Sequence, residues 1–272
     1  MSGKWLDTSI KGFLLDITGV CYDSAGNSGI PIEGSIEAIK LLRQAKIPFR
    51  FCSNESTASR VHLARKLGEI GFDIKAEEIT CPAPVAAQLL RERGLRPFFL
   101  VKDEVLEEFE GINSTNANCV VMGDAQENFS YENVNRAFSV LINSPTPILI
   151  SMGCGRYYKE TDGLKIDVGA YCKGLEYACG IKAEFVGKPD PKYFLSALEQ
   201  LKISPANCVM IGDDVAGDCG AAQKAGMRAL LVRTGKYRPE DERRTDVQPD
   251  GVVDNLLQAV QAFLDFKNAK AE

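Results

Sequence analysis

Short apolar runs and stretches of helical period take turns along this chain. GFLLDI (12–17) precedes a helical pattern around 34–45, and PFRFCS (48–53) precedes another around 57–69. PAPVAAQLLRERG follows, with Pro82 suited to start a helix and Gly94 to end it. A second series holds FFLV (98–101), CVVM (119–122), a helix over 131–142, PILISMG (147–153) and a helix around 168–179. A third returns with EFVG (184–187), a helix at 191–202, NCVMIG (207–212), a helix near 217–225, RALLVRTG (228–235) and the closing VVDNLLQAVQAFLDF. This rhythm predicts an α/β fold with a doubly wound, Rossmann-like parallel sheet covered by helices on both faces. The middle series reads either as part of one long sheet or as an inserted domain, because no Pro/Ser-rich seam or charge run marks a boundary.

A length of 272 residues suggests about two domains, and 45% hydrophobic with 25% charged residues excludes disorder, collagen and coiled coil. Lys plus Arg is 32 against 37 Asp plus Glu, a net charge of −5, so neither nucleic acid nor an anionic membrane is an expected partner. An anionic substrate must then be held by local groups. His62 is the single histidine, which excludes multi-histidine metal sites and leaves oxygen as the ligand of any divalent metal. The nine cysteines form no C-x-x-C and are odd in number, which predicts reduced thiols. No apolar run reaches the ~18 residues of a membrane span, and Lys4, Asp7 and Lys11 interrupt the region where a signal peptide needs an apolar core. A cytoplasmic protein is expected, with the nucleus as a second compartment.

In a doubly wound sheet the site lies at the carboxyl ends of the strands, so polar residues that end apolar runs are the ones to collect. Asp16 ends the first run, with Gly19 freeing the chain to turn away. Ser53-Asn54 ends the second, offering a hydroxyl and backbone N–H groups to a phosphate. Lys188, between Gly187 and Pro189, supplies an ammonium, and Ile211-Gly212-Asp213-Asp214 supplies carboxylates. Asp16 and Asp213 on separate strands suit a hard cation, for which Mg²⁺ is the usual choice beside phosphate. VVMGDA (120–125) faintly echoes VMIGDD (209–214), but Asp124 has no further acids beside it and reads as a cap on the following turn.

Asp16 with Thr18-Gly19-Val20, then Ser53-Asn54, then Lys188, then Gly212-Asp213-Asp214 resembles the four motifs of the haloacid-dehalogenase superfamily. RFCSNES, TCPAP, NCVVMGDA, GRYYKETDGL, ALEYACGIKAEFVGKP and RTGKYRPEDE extend the resemblance over almost the entire chain, to a branch of phosphatases bearing a C2-type cap. The resemblance implies a catalytic core at 1–95 and 184–272, a cap at 96–183 and a homodimer contacting through the cap. It further implies that Asp16 attacks phosphorus, and that Mg²⁺ sits on the carboxylates of Asp16 and Asp213 and the carbonyl of Thr18. Ile17, Thr18, Ser53, Asn54 and Lys188 would hold the phosphoryl group, with Asp214 or Asp218 orienting metal waters. The implied substrates are inorganic pyrophosphate and the phosphorus–nitrogen bonds of phosphohistidine, phospholysine and imidodiphosphate, free or on proteins.

Many members of the superfamily carry a second Asp two residues after the nucleophile, where this chain has Thr18. A hydroxyl cannot protonate a leaving alkoxide near neutral pH, so leaving groups that are poor bases or already protonated are expected. Small phosphate monoesters as substrates, or a non-catalytic binding protein on the same fold, are the alternatives. His62 in SRVHLARKL reads as structural, Cys21 and Cys52 as packing thiols, and GCGRYYK lacks the third glycine of a dinucleotide fingerprint.

Overall fold

The computed structural model describes residues 5–25, 28–160 and 163–271. Lys4, and Thr161 and Asp162 of GRYYKETDGL, lie outside the described residues. In chain order the elements are β1 (Gly12–Leu15), β2 (Tyr22–Ala25), β3 (Ser28–Pro31), α1 (Ser35–Gln44), β4 (Phe49–Cys52), α2 (Arg60–Glu69), β5 (Ile79–Thr80) and α3 (Pro82–Arg93). There follow β6 (Pro97–Leu100), β7 (Cys119–Met122), α4 (Tyr131–Ile142), β8 (Leu149–Ser151), β9 (Tyr157–Glu160), β10 (Gly163–Ile166), α5 (Val168–Cys179) and β11 (Glu184–Phe185). The chain closes with α6 (Pro191–Leu201), β12 (Cys208–Gly212), α7 (Ala221–Lys224), β13 (Arg228–Val232), β14 (Gly251–Val253) and α8 (Leu256–Ala271). The described residues group into two compact units, Met1–Ser53 with Lys66–Thr80 and Lys188–Glu272, and Asn54–Arg65 with Cys81–Gly187.

The first unit is built on a six-stranded sheet of order β14-β13-β12-β1-β4-β5 in which every pairing is parallel. The chain builds outward from β1 to β4 and β5, and later adds β12, β13 and β14 on the other side. Strand β1 therefore sits at the reversal of strand order, the place at whose carboxyl end ligands bind in open α/β sheets. All four of its residues are buried, as a strand covered on both faces requires. Phe13 packs edge-on against Phe263 of α8, with ring centroids 4.9 Å apart.

The middle series forms its own parallel sheet, of order β11-β8-β7-β6. Alternation along β7 divides its residues between two cores. Cys119 and Val121 join Ala83, Ala86, Ala87 and Leu90 of α3, while Val120 and Met122 join Ala137 and Leu141 of α4 and Val168, Cys172 and Leu175 of α5. Helix α3 starts at Pro82 and ends on Gly94 with φ 61°, matching its sequence signals, yet its apolar face belongs to this second sheet. The compact unit thus extends beyond 96–183 on both sides. The antiparallel pairs β2–β3 and β9–β10 carry no signal in the apolar pattern, because among the described residues Tyr22 is the single buried apolar anchor of the first and β10 is exposed along its length.

Candidate active site

Strand register decides which residues meet at the carboxyl end of β1. Leu15 lies opposite Ile211 of β12 on one side and Phe51 of β4 on the other. The N–H of Asp16 continues the ladder to the Ile211 carbonyl at 2.9 Å. Asp16 therefore leaves the sheet between the Gly212-Asp213 end of β12 and the Cys52-Ser53 end of β4. Its Oδ1 accepts the N–H of Ile17 at 2.8 Å and lies 2.7 Å from Lys188 Nζ.

Two glycines shape the seat of Asp213. Gly19 has φ +86° and Gly235 φ +60°, and a Cβ on either would lie 2.0 or 2.1 Å from Asp213 Oδ2. Only glycine satisfies both the backbone and the space there. Asp213 Oδ2 accepts the N–H of Lys236 at 2.7 Å, whereas the buried Oδ1 has no hydrogen-bond partner among the described residues. Asp218 lies on the wide π-type turn Val215–Gly220, capped by Asp214, whose Oδ1 accepts the N–H groups of Ala216 and Gly217. That turn carries Asp218 back under the strand end, where its Oδ2 accepts the Asp214 N–H at 3.1 Å and its Oδ1 lies 2.8 Å from Lys188 Nζ.

Asp16, Asp213 and Asp218 each bring one carboxylate oxygen within 4.8 Å of the others, and all three are buried. Burial, and then the charges of Asp16 and Asp218, raise the Asp213 carboxyl well above its ordinary value. Burial and the charge of Asp16 raise Asp218 also, against the pull of Lys188. For Lys188, burial favours the neutral amine, yet Asp16 and Asp218 hold its ammonium above the ordinary lysine value. With all three carboxylates ionised, one ammonium would leave two negative charges in excess in a buried centre, which is why burial and mutual repulsion favour protonation of Asp213 and Asp218. A divalent cation would neutralise that excess and give the orphaned Asp213 oxygen a partner, so the residues present fit such an ion.

The structure thus gathers Asp16, Lys188 and Asp213 at one point, with Ile17 donating to Asp16. Thr18 is exposed and bridges to Tyr22. Ser53 is buried one residue past β4, beside Cys52, whose thiol feels the charges of Lys188 and Asp16. The exposed Asn54 belongs by its contacts to the second unit, where its Oδ1 lies 2.8 Å from where a Cβ on Gly187 would sit. Asp218, for which the resemblance implies a role in orienting metal waters, brings a carboxylate oxygen within 4.8 Å of those of Asp16 and Asp213. Its signal was the one-turn spacing from Asp214 in DDVAGD. Lys236, whose N–H holds Asp213, and Tyr193, whose hydroxyl meets the Ser53 carbonyl, carry no motif that marks them in the sequence.

His62 contacts Ser59 and Glu107 at a partly exposed position of α2. Burial pushes the Cys52 thiol up to about 12 and raises Cys21 as well, so neither is a thiolate at neutral pH. Asp124 Oδ1 accepts the Gln126 N–H at 3.3 Å, the cap that its position suggested.

The family model described as "Haloacid dehalogenase-like hydrolase" matches residues 13–115, and one described as "HAD-hyrolase-like" matches residues 185–259. The chain is 57% identical over 256 residues to the phospholysine phosphohistidine inorganic pyrophosphate phosphatase of Xenopus laevis, covering 94% of this chain and 95% of that protein. It is 55% identical to the Homo sapiens protein of that name over 96% of this chain and 97% of the relative. A solved 4-nitrophenylphosphatase from Thermotoga maritima superposes with a TM-score of 0.85 at 26% identity, covering 94% of this chain and 98% of the other. Matches of this length and identity, on a parallel core that carries an inserted α/β cap of the C2 type, leave one assignment: the chain belongs to the haloacid dehalogenase-like hydrolases and is a phosphatase.

Proposed function

We propose that this phosphatase hydrolyses inorganic pyrophosphate and the phosphorus–nitrogen bonds of phosphohistidine, phospholysine and imidodiphosphate through an aspartyl-phosphate on Asp16, with Mg²⁺ as its cofactor. The observation that carries the reading is the Asp16 carboxylate held 2.7 Å from a buried lysine, beside two further carboxylates. Asp16 attacks phosphorus and the bond to the leaving group breaks; water then cleaves the acyl phosphate and restores the carboxylate. Lys188 and Ser53 hold the phosphoryl oxygens together with the Ile17–Thr18 segment and the Asn54 backbone, since phosphoryl transfer demands positioning and charge stabilisation. Asp16, Asp213 and the Thr18 carbonyl would hold the Mg²⁺, with Asp218 beside them. The ion, when bound, offsets charge on the transferring group.

The relatives' names support the substrate class, and Thr18 supports it independently, because no carboxylic acid stands two residues after Asp16 to protonate a basic leaving oxygen. The same reading takes 96–183 as the body of a cap that selects substrate, places the protein in the cytoplasm with the nucleus as a second compartment, and joins two copies through the cap, whose β9–β10 ribbon exposes Tyr157, Leu164 and Ile166. None of the described helices is long and apolar enough to cross a membrane.

The test is phosphate release from pyrophosphate, imidodiphosphate, phosphohistidine, phospholysine and several sugar phosphates, with and without Mg²⁺. Thr18→Asp joins the panel, and the expected outcome is a rise in the monoester-to-imidodiphosphate ratio, general acid assistance being worth about 10²–10⁴-fold. Preference for sugar phosphates in the wild-type protein would make it a monoester phosphatase instead.

A further inference from the structure

The hydroxyl of Tyr193 is buried at the end of the β4–β5 pair, where nothing in the phosphoryl-transfer scheme requires a phenol. It lies 2.6 Å from the carbonyl oxygen of Ser53 and 2.6 Å from that of Thr80. The Thr80 carbonyl already accepts the Ser53 N–H at 3.0 Å, so the sheet ladder is complete there without the tyrosine. The Ser53 carbonyl is different. It lies past the last ladder pair, Cys52 with Thr80, and at the strand end where an anion is to be bound.

That carbonyl belongs to the same peptide unit as the N–H of Asn54. The Ser53–Asn54 peptide is trans, and a planar trans peptide points its C=O and N–H in opposite directions. Fixing the carbonyl inward on Tyr193 therefore turns the N–H outward, away from the tyrosine. Were the unit to rotate, a carbonyl dipole would replace an N–H at the place where a phosphoryl oxygen is to be held, and attraction would become repulsion.

We propose that Tyr193 is a positioning residue that locks the Ser53–Asn54 peptide in its anion-binding orientation. The inference rests on the reading of Ser53 and Asn54 as holders of the phosphoryl group. Its placement in the chain is suited to the task. Tyr193 lies in the first turn of α6, behind Pro189, the Asp190 cap and Pro191, so Lys188 and the lock hang from one stiff helix start. One short segment thereby sets both the ammonium and the peptide dipole. Arg50 steadies the other side, its Nε donating to Thr80 Oγ1 at 2.6 Å and its Nη2 to the Ile79 carbonyl at 3.2 Å.

Tyr193→Phe tests this in the full chain with saturating Mg²⁺, because the ring and its edge-on contact with Phe194 are kept while the hydroxyl is lost. The expected result is a rise of about 3–10-fold in the inhibition constant of inorganic phosphate and in KM for imidodiphosphate, the usual scale for one buried hydrogen bond. The Mg²⁺ concentration for half-maximal activity should stay within about twofold. In ¹⁵N spectra, the shift of the Asn54 amide on adding phosphate should shrink in the variant. An unchanged phosphate inhibition constant with an unchanged Asn54 response overturns the proposal, even if the variant melts earlier. Ser53→Ala in the same assay separates the two levels. Weaker phosphate binding in Ser53→Ala with none in Tyr193→Phe removes the lock and leaves the reading of the strand end, whereas no change in either variant removes that reading and the lock with it.

Discussion

Strands β7 and β12 lead into almost the same residues, Val-Met-Gly-Asp in one and Met-Ile-Gly-Asp in the other, and each is fully buried in a parallel sheet. Their aspartates differ in what surrounds them. Asp124 caps a turn through the Gln126 N–H, and the Ser56 hydroxyl accepts its own N–H at 3.1 Å. Asp213 has one oxygen wedged between Gly19 and Gly235 and the other without a hydrogen-bond partner among the described residues, beside two more carboxylates and a lysine. Burial raises both carboxyls, so burial alone does not separate a cap from a ligand. Convergence of charge from several strands does.

The largest effect belongs to the residue that gives Asp213 its company. Asp16→Asn is expected to lower turnover by at least about 10³-fold with an unchanged circular dichroism spectrum, since an amide is no nucleophile toward phosphorus. Wild-type turnover in this variant would break the covalent scheme. The comparison itself is sharpened by making the same change in both strand ends. Asp213→Asn should raise the Mg²⁺ concentration for half-maximal activity by at least about tenfold, and Asp124→Asn by less than about twofold. Equal shifts in the two titrations would erase the distinction drawn between them.

The smallest effect is one of stability. Asp124 titrates above its ordinary 3.8 because of burial, opposed by the Gln126 N–H and reinforced by Asp167 and Glu55, with Tyr158 as a further opposing partner. The ionised folded state is therefore penalised at neutral pH, and the penalty disappears as pH falls below 3.8. Asparagine caps a turn as well as aspartate does, so Asp124→Asn should melt slightly higher than the wild type at pH 7. A gain of about 2–4 °C would correspond to roughly 1 kcal/mol, and it should shrink as the pH is lowered. Calorimetric scans across that range measure it, and a gain that grows on acidification would contradict the cause assigned here.

Residues that end apolar runs were legible in the sequence because strand ends in a parallel sheet are where polar groups converge. Asp16, Ser53, Lys188 and Asp213 were found that way. The closeness of Asp218 to Asp16 and Asp213 could not be read, since a carboxylate one turn beyond a cap ordinarily faces water, and the wide turn at Val215–Gly220 is what brings it to within 4.8 Å of them. Tyr193 gave no signal because its ring packs as any core aromatic would and its hydroxyl serves backbone carbonyls, which no side-chain motif records. The helices over 131–142 and 168–179 form where their periodicity put them. Which strands CVVM would join could not be read, because an apolar run buried on both faces states its burial and not its neighbour. Helix α3 shows the same limit, its alanines fitting either sheet equally well by pattern.

Strand β1 pairs Gly12 with Cys208, near opposite ends of the chain. During synthesis the ribosome thus delivers the central strand early and one of its two neighbours only after the whole second unit has emerged. The second unit's long stretch, Cys81–Gly187, is uninterrupted and can condense on local contacts while the first unit waits with an open flank. Closing that flank brings together segments separated by most of the chain, the kind of topology that slows folding. The groups of the candidate site lie on both sides of the closure, Asp16 on the early part and Lys188 and Asp213 on the late one, so the carboxylates and the ammonium meet only when the late part docks.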